Sequence, residues 1–290
     1  MNKDNAIRNV SDTALWVAIY RAMESERPDA IFHDPHARRL GGERGERVVR
    51  EMPGAQASSW SLIVRTAVLD RIIEQCIRDG ARTVLNLAAG LDARPYRMSL
   101  PADLRWIHVD MPEMVDYFRE RMADETPNCR LEFVSADLRE ADARRAVLAL
   151  AAQEGPTLVI TEGLLIYLDE DDVRALTRDL IEIARARWWT ADLASPALLK
   201  IMAKRWAKTL QAGNAPFRFG PRENIDFFAP FGWRRAALYS LWDESIRYRR
   251  TRRDMWFWRL VDPILPSRIR TRNRMIYTFF LLESDMRPKA

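Results

Sequence analysis

The feature that most constrains the fold of this chain is an alternation of short apolar runs with helical patterns through its middle. Each of the five runs is rich in Val, Ile, Leu or Trp, which is typical of buried strands, and is too short for a buried helix. The predicted strands cover residues 83–87, 104–110, 131–137, 157–162 and 188–192. Strands that alternate with helices form a parallel sheet with helices on both faces, so the sequence predicts an α/β fold.

Helical patterns fill most of the remaining sequence. We predict helices over residues 11–24, 61–79, 111–123, 140–153, 169–186 and 197–210. Two later apolar runs, at 233–239 and 275–283, predict a closing pair of strands. Because 48% of the 290 residues are hydrophobic, the chain can bury the core of one domain of this size.

Four of the predicted strands end in an acidic residue. These residues are Asp110, Asp137, Glu162 and Asp192. Ligands of parallel sheets bind at the carboxyl ends of the strands, so this edge would place several carboxylates beside a ligand. One such acid is more often a helix cap, but capping is a weaker explanation for acids on successive strands.

A turn of small residues follows the first predicted strand and leads into a helix start at Asp92. Small side chains let a ligand approach the backbone, and amides at a helix start bind its polar groups. Gly90 is the only glycine in this turn, whereas a dinucleotide fingerprint needs three, which disfavours nicotinamide and flavin cofactors. Asp110 follows about 20 residues later, where a carboxylate can accept hydrogen bonds from both ribose hydroxyls. The pattern therefore predicts a ligand that contains adenosine.

The composition excludes several other classes of protein. Cys76 and Cys129 are too few for a disulfide framework and are interpreted as free thiols in a reducing compartment. The three histidines have no metal-ligand spacing, so no metal site is predicted. The N-terminus lacks the apolar segment of a signal peptide, and no run approaches the roughly 20 apolar residues of a membrane span. We therefore expect a cytoplasmic protein.

Seven motifs, in this order, are similar to those of one known family. The most specific are Gly-Leu-Asp-x-Arg at 90–94 and Glu-Gly-Leu-Leu-x-Tyr-Leu at 162–168. The other five lie at 13–22, 65–66, 108–112, 136–139 and 228–233. With these motifs, most of the chain resembles the leucine carboxyl methyltransferase family, and within it the branch of tetracenomycin-type polyketide carboxyl O-methyltransferases.

The resemblance implies a Rossmann-like, seven-stranded class I methyltransferase sheet with a helical N-terminal extension and a substrate cap. The chain would then be a single S-adenosylmethionine-dependent methyltransferase domain. Its parts would be a helical N-terminal cap (1–80), a cofactor-binding core (81–193), a substrate cap (194–230), and closing strands with an Arg- and Trp-rich insertion (231–290).

The same resemblance implies residues that bind the methionine end of S-adenosyl-L-methionine. Arg65 would bind the carboxylate of the cofactor, and Gly90 and Glu162 would lie beside its methionine moiety. Without the family, Arg65 would be an exposed helix residue and Glu162 a helix cap. The chain has Ala88-Ala89-Gly90 where the family has Gly-Ala-Gly, so we expect the methyl group of Ala88 to narrow the turn.

The adenosine end of the cofactor is assigned in the same way. Asp110 would bind the ribose hydroxyls. Asp137 would accept a hydrogen bond from the exocyclic amine of adenine, and the backbone at Leu138 would contact the ring.

The acceptor implied by the resemblance is a small acidic metabolite that is aromatic or polyketide-like. A carboxylate has a reference pKa near 4 and is ionised at pH 7, so its methylation requires alignment and no general base. This agrees with a sequence in which we identify no catalytic residue. Tyr167, His33 and His36 are substrate-side candidates, and either histidine could act as a base toward a hydroxyl. Structural roles for all three remain open.

Five aromatic residues of the predicted substrate cap suit a hydrophobic acceptor, although core packing would use the same residues. They are Trp206, Phe217, Phe219, Phe227 and Phe228.

Ten arginines lie between Arg247 and Arg274, against two aspartates. This stretch could be a solvated basic face or could bind an anionic membrane surface. It could also bind RNA, and the chain would then be an RNA methyltransferase or an RNA-binding relative. Trp256, Phe257 and Trp258 lie within the same stretch and could instead mediate a homodimer. We expect a small-molecule substrate rather than nucleic acid, and peripheral membrane contact or a homodimer remains open.

Overall fold

The structure, a computed structural model, describes residues 11–51, 59–212, 217–251 and 255–285, and the side chains within them other than those of 11, 12 and 205–212. The strands of this part are β1 (Thr83–Leu87), β2 (Arg105–Asp110), β3 (Arg130–Ser135), β4 (Thr157–Thr161), β5 (Ala186–Ala194), β6 (Trp233–Ser240) and β7 (Tyr277–Ser284). The helices are α1 (Ser11–Ser25), α2 (Ala37–Glu51), α3 (Ser59–Arg78), α4 (Arg94–Arg97), α5 (Pro112–Arg121), α6 (Ala141–Ala151), α7 (Glu170–Glu182), α8 (Pro196–Ala212), α9 (Leu241–Arg247), α10 (Met255–Val261) and α11 (Ser267–Arg274).

The seven strands form one sheet in the order β3-β2-β1-β4-β5-β7-β6. The first five strands are parallel, and β7 pairs antiparallel with both β5 and β6. All five predicted inner strands and the closing pair are present. The α/β fold class and the seven-stranded mixed sheet are therefore confirmed.

Most element ends differ from the sequence prediction by one to four residues, and β3 ends at Ser135, so Asp137 lies in the loop after the strand and not at its end. Two of the differences have a clear local cause. The predicted helix 169–186 ends at Glu182, because the backbone at Arg185 has φ 50° and Ala186 already enters β5 beside Thr157. The predicted strand 275–283 begins only at Tyr277, since Met275 still caps α11.

Successive residues of the central strands point to opposite faces of the sheet. Leu85 and Trp189 face a cluster that includes α6 and α7, whereas Val84 and Trp188 face a second cluster that includes α3. This is the period-two arrangement of a strand that is buried on both sides. The sheet is therefore covered by helices on both faces, which leaves its strand ends as the place for a site.

The aromatic residues of the cap region belong mainly to the core. Phe219, Phe227 and Phe228 are buried, and the Phe228 ring packs edge-on against Trp189 at 4.8 Å between centroids. Core packing, and not a pocket lining, thus accounts for these three side chains. Phe217 is only partly buried and contacts the Tyr167 ring at 5.6 Å. The side chain of Trp206 lies outside the described residues.

Helices α1 and α2 pack closely because α2 contains glycine at the contact. A Cβ atom added at Gly45 would lie 2.9 Å from the carbonyl oxygen of Leu15 on α1. Such a contact is too short for a real side chain, so the two backbones could not approach as closely with alanine at this position. These two helices are here called the N-terminal layer.

The connection between β6 and β7 lies at the carboxyl edge of the parallel strands. Ser240 at the end of β6 pairs with Thr278, and Ala194 at the end of β5 pairs with Tyr277. Helices α9 to α11 therefore extend from the edge at which the acid-ended strands finish. In the described part of the chain, no helix is long and apolar enough to cross a membrane.

His108 on β2 is fully buried between aromatic rings. Its ring centroid lies 4.8 Å from that of Phe118 and 5.3 Å from that of Phe133. Neither ring nitrogen has a hydrogen-bond partner among the described residues. Burial lowers the pKa of His108 to about 4 from an ordinary 6.5, so the imidazole is neutral in the folded protein.

We expect His108 to make stability depend on pH between about 6.5 and 4. Below pH 6.5 the unfolded chain binds a proton that the folded chain excludes, so the free energy of unfolding should fall by about 3 kcal/mol as the pH drops to 4. Urea unfolding of the wild type and of His108→Leu across this range tests the expectation. The variant should lose this slope, and exposed His33→Leu should keep it. An unchanged slope in His108→Leu would refute the assignment.

Candidate active site

The turn after β1 has two residues in the left-handed region. Ala88 has φ 52° and Gly90 has φ 55°. An alanine in this conformation costs about 1–2 kcal/mol that a glycine would not. The departure from Gly-Ala-Gly thus leaves the turn conformation in place and adds strain at Ala88. A Cβ added at Gly90 would lie 3.3 Å from Cβ of Ala14, so α1 packs directly against the turn.

Asp110 lies against this turn, as the geometry of parallel strands predicts. Its Oδ2 accepts a hydrogen bond from the Gly90 amide at 2.6 Å, and its Oδ1 accepts one from the Met111 amide at 2.8 Å. Burial raises the pKa of Asp110, and the two amide hydrogen bonds act in the opposite direction. The carboxylate therefore joins the end of β2 to the glycine turn.

Asp137 and Leu138 follow β3 by two and three residues, at a more open position. Arg139 donates to the Asp137 carboxylate at 2.6 Å and lowers the pKa of that group. Leu138 lines a small, mostly apolar cleft. The cleft is bounded by Leu87, Leu138, Arg139, Arg144, Leu164, Leu168, Asp172 and Leu176. Apolar side chains therefore lie between the ends of β1, β3 and β4.

Glu162, at the end of β4, holds two arginines. Its Oε1 accepts a hydrogen bond from Nε of Arg65 and its Oε2 one from Arg94, both at 2.8 Å. Burial raises the pKa of Glu162, but Arg94 and Arg65 outweigh burial and lower it to about 2. The carboxylate is therefore ionised and fully engaged at neutral pH.

Arg94 is the most connected residue of the site. It is 2% exposed, and it donates to Asp70 at 2.6 Å and to Asp92 and Glu162 at 2.8 Å each. Asn86 on β1 donates to the same Asp92 carboxylate at 2.8 Å. Burial alone would lower the pKa of Arg94, but the surrounding acids raise it, so the guanidinium stays charged.

Asp192, two residues before the end of β5, extends these contacts to the closing strands. Its Oδ1 accepts the Gly163 amide at 2.6 Å, and its Oδ2 accepts the Tyr277 hydroxyl at 2.7 Å. The Arg65 guanidinium lies 3.8 Å from the same carboxylate. Gly163 has φ 67°, and a Cβ there would lie 3.1 Å from Nη1 of Arg65, so a side chain would displace the arginine.

The contacts continue to the N-terminal layer. Arg97 donates to Asp70 at 2.8 Å, and Arg21 donates to Asp34 at 2.8 Å and to the carbonyl oxygen of Leu91. Together these charged groups form a continuous cluster, here called the rim network. Its cations are Arg21, Arg65, Arg94 and Arg97, and its anions are Asp34, Asp70, Asp92, Glu162 and Asp192.

The structure brings some of the sequence-predicted site residues together and leaves others apart. Gly90 and Asp110 are in contact, and Arg65 and Glu162 are in contact. Asp137 and Leu138 lie on the neighbouring loop. Tyr167 lies near Arg65 and Asp192, and burial raises the pKa of its hydroxyl.

The two histidine candidates lie farther out. His33 is exposed, and His36 packs edge-on against Tyr96 with its Nδ1 3.7 Å from Glu125. Neither forms a hydrogen bond or ion pair with a member of the rim network through its ring in the described part of the chain. Asp34, which lies between them in sequence, is the residue of this loop that joins the network.

Sequence reasoning did not assign a role to Arg94, Asp92 or Tyr277. Arg94 and Asp92 belong to the motif at 90–94, and the spacing of two residues between an acid and an arginine was the available signal. Tyr277 gave none, because it reaches Asp192 only through the antiparallel pairing of β5 and β7.

Comparison with known proteins identifies the family of the chain. Residues 14–181 match the model of the family called leucine carboxyl methyltransferase. A protein of Streptomyces coelicolor, provisionally described as an S-adenosyl-L-methionine-dependent methyltransferase, is 32% identical over 256 residues, which are 82% of this chain and 87% of that protein. A relative in Streptomyces avermitilis with the same description is 37% identical over 57% of this chain and 62% of its own length.

Two solved structures are similar in fold. A DUF574 family protein from Streptomyces avermitilis has a TM-score of 0.56 at 17% identity, and the match covers 92% of this chain and 96% of that chain. A methyltransferase from Thermobifida fusca, so described provisionally, has a TM-score of 0.56 at 18% identity over 98% and 97% of the two chains. With the sequence matches, these findings establish that the chain belongs to the leucine carboxyl methyltransferase family and is an S-adenosylmethionine-dependent methyltransferase.

Proposed function

We propose that this methyltransferase transfers a methyl group from S-adenosyl-L-methionine to a carboxylate of a small acidic metabolite that is aromatic or polyketide-like. Methylation of a carboxylate needs no general base, and the observation that supports this acceptor is the hydrogen bonding of the acidic side chains around the site. Among the described residues, each carboxylate of the rim network already accepts hydrogen bonds from an arginine, an asparagine, an amide or a tyrosine.

Tyr167 and Tyr277 are not suited to act as general bases either. Burial raises the pKa of Tyr167, and burial together with Asp192 raises that of Tyr277, so both hydroxyls keep their protons at neutral pH. An acceptor at this site should therefore arrive already ionised, as a carboxylate does. The family name, which refers to carboxyl methylation, points to the same chemistry.

The residues at the rim fit the cofactor in charge. The rim network has five carboxylates against four guanidiniums, and S-adenosyl-L-methionine carries one more positive than negative charge. A ligand with one net positive charge is the one that this balance favours.

The proposal assigns the cofactor contacts as follows. Asp110 binds the ribose hydroxyls, and Asp137 and Leu138 contact the adenine at the apolar cleft. Gly90 and Glu162 lie beside the methionine moiety. Arg65 binds Glu162 through Nε and would bind the cofactor carboxylate through its terminal amino groups, of which Nη1 also lies 3.8 Å from Asp192.

Methyl transfer to a carboxylate needs no proton movement. The cofactor supplies an electrophilic methyl group on a sulfonium: the bond from carboxylate oxygen to methyl carbon forms, and the carbon–sulfur bond breaks with its electron pair going to sulfur. The protein contributes alignment and exclusion of water. Holding the two reactants in line can supply on the order of 7–11 kcal/mol of the barrier.

The aromatic acceptor is supported by two partly exposed rings. Tyr167 lies close to Arg65, and Phe217 from the cap region packs against it at 5.6 Å. Such a pair can hold a flat acceptor by stacking.

Both cysteines are free and buried, which suits the cytoplasmic setting that we propose.

We expect Asp110→Asn to weaken binding of S-adenosylhomocysteine by roughly 10- to 100-fold, because hydrogen bonds to charged groups contribute about 1.5–3 kcal/mol. The amide oxygen of the variant can still accept from Gly90, so the turn should persist. Isothermal calorimetry measures the change, with exposed Asp116→Asn on α5 as the matched control. Equal affinity in wild type and Asp110→Asn would contradict the ribose assignment.

The carboxylate acceptor is tested by the chemistry of the product. With methyl-tritiated cofactor and a panel of aromatic acids and matched phenols, we expect labelled product only with the acids. Mild alkali should release the label as methanol, since esters hydrolyse and methyl ethers do not. The rate should stay flat above the acceptor pKa, because no group must lose a proton. Alkali-stable product, or a rate that rises with the ionisation of a phenol, would refute the proposal.

A further inference from the structure

An exposed apolar surface lies in the connection between β6 and β7. It consists of Trp256, Phe257, Trp258 and Leu260 on α10 and of Ile264 in the turn that follows, and each side chain is between 49% and 80% exposed. Only Met255 of α10 is buried. Contiguous large apolar side chains on a protein surface indicate a contact surface for another molecule or phase.

This apolar surface is held rigidly at the carboxyl edge of the sheet. Arg274 binds Asp262 at 2.9 Å and Asp243 at 3.1 Å, which ties α11 to α9 and to the end of α10. Arg71 on α3 binds Glu244 on α9 at 3.0 Å. Tyr277, three residues after Arg274, is already bonded to Asp192. The connection that carries the apolar surface thus begins and ends at the carboxyl edge of the sheet, where the candidate site lies.

Arginines flank the apolar surface in sequence. The sequence from Met255 to Ile276 contains five arginines and one aspartate. Arg274 pairs with that aspartate, whereas Arg259, Arg268, Arg270 and Arg272 have no carboxylate within 4 Å among the described residues. In the part of the chain that the structure describes, the segment that carries the apolar surface thus has an excess of positive charge.

Not every arginine of the basic stretch takes part. Arg250 is buried and binds Glu24 of α1 at 2.7 Å and Asp29 at 3.1 Å, so its role is to fasten the N-terminal layer. Arg250 is therefore not available to a membrane or to RNA. The interpretation of the whole basic stretch as a solvated face is wrong at this residue. Arg252 and Arg253 lie outside the described residues.

We propose that α10, the turn after it and α11 form an interfacial anchor that docks the carboxyl edge of the sheet on an anionic lipid bilayer. Tryptophans and aliphatic side chains enter the headgroup boundary while arginines meet the lipid phosphates, which is how amphipathic surfaces bind membranes. The proposal concerns a surface and stands apart from the methyl acceptor.

Two other occupants fit the same surface less well. In a two-fold dimer this arginine-flanked surface would face a copy of itself, and the like charges of the two copies would oppose the contact. RNA would use the arginines and stack on the tryptophans, but Leu260 and Ile264, both more than 65% exposed, add nothing to stacking. Acyl chains would bury these aliphatic side chains as well as the rings.

The test is co-sedimentation of the full chain, without cofactor, with vesicles of phosphatidylcholine containing phosphatidylglycerol and with vesicles of phosphatidylcholine alone. We expect binding to the anionic vesicles and much weaker binding to the neutral ones. Arg268→Glu/Arg272→Glu should weaken binding by about 25-fold or more, because each arginine near an anionic surface contributes a factor of about five. Trp256→Ser/Leu260→Ser should also abolish most of the binding.

Arg82→Glu/Arg185→Glu is the matched control. It makes the same change of charge at two exposed positions before β1 and β5, at the opposite edge of the sheet, and should bind as the wild type does. All variants should keep the wild-type thermal midpoint. Absence of binding to anionic vesicles, or equal losses in the control, would overturn the proposal. So would a dimer, detected by sedimentation, that Trp256→Ser/Leu260→Ser dissociates, or salt-sensitive RNA binding in place of vesicle binding.

Discussion

The ion pair between Arg94 and Glu162 is the interaction on which the site depends. It joins the turn after β1 to the end of β4, and through Arg65 and Asp70 it joins both to α3. A buried charge without a partner is costly, and breaking such a pair costs about 3–5 kcal/mol. Each member therefore fixes the position of the next, and the strand ends are held where a ligand can meet them.

The cost of an unpaired buried charge also explains why the N-terminal helices belong to the site. Arg97 binds Asp70 of α3 and lies 3.8 Å from Asp34, which also accepts a hydrogen bond from Arg21 of α1, so α1 is bound to the rim by charge as well as by apolar packing. Opposite charges are nearly balanced, with one carboxylate in excess. A ligand with one net positive charge completes the balance, which connects the fold of the N-terminal layer with recognition of a sulfonium cofactor.

Much of the fold and part of the candidate site were predictable from local sequence. Buried strands of five to seven residues have a distinct composition, and parallel strands end at one edge, so contact of Asp110 with Gly90 could be expected. The rest depends on long-range pairing. The partner of Arg250 is Glu24, 226 residues away, and nothing local distinguishes a buried arginine from a solvated one. Likewise Phe228 has the composition of a pocket residue, and only the packing against Trp189 reveals that it belongs to the core.

The central claim is that the rim network and the turn after β1 form a binding site for S-adenosylmethionine. Thermal unfolding with S-adenosylhomocysteine, with NADH as the control ligand, tests it most directly. A ligand at about 100 times its dissociation constant adds roughly 2.7 kcal/mol to the free energy of unfolding, which raises the midpoint by several degrees. We expect this rise with S-adenosylhomocysteine and none with NADH. No rise with S-adenosylhomocysteine, or an equal rise with NADH, would contradict the account.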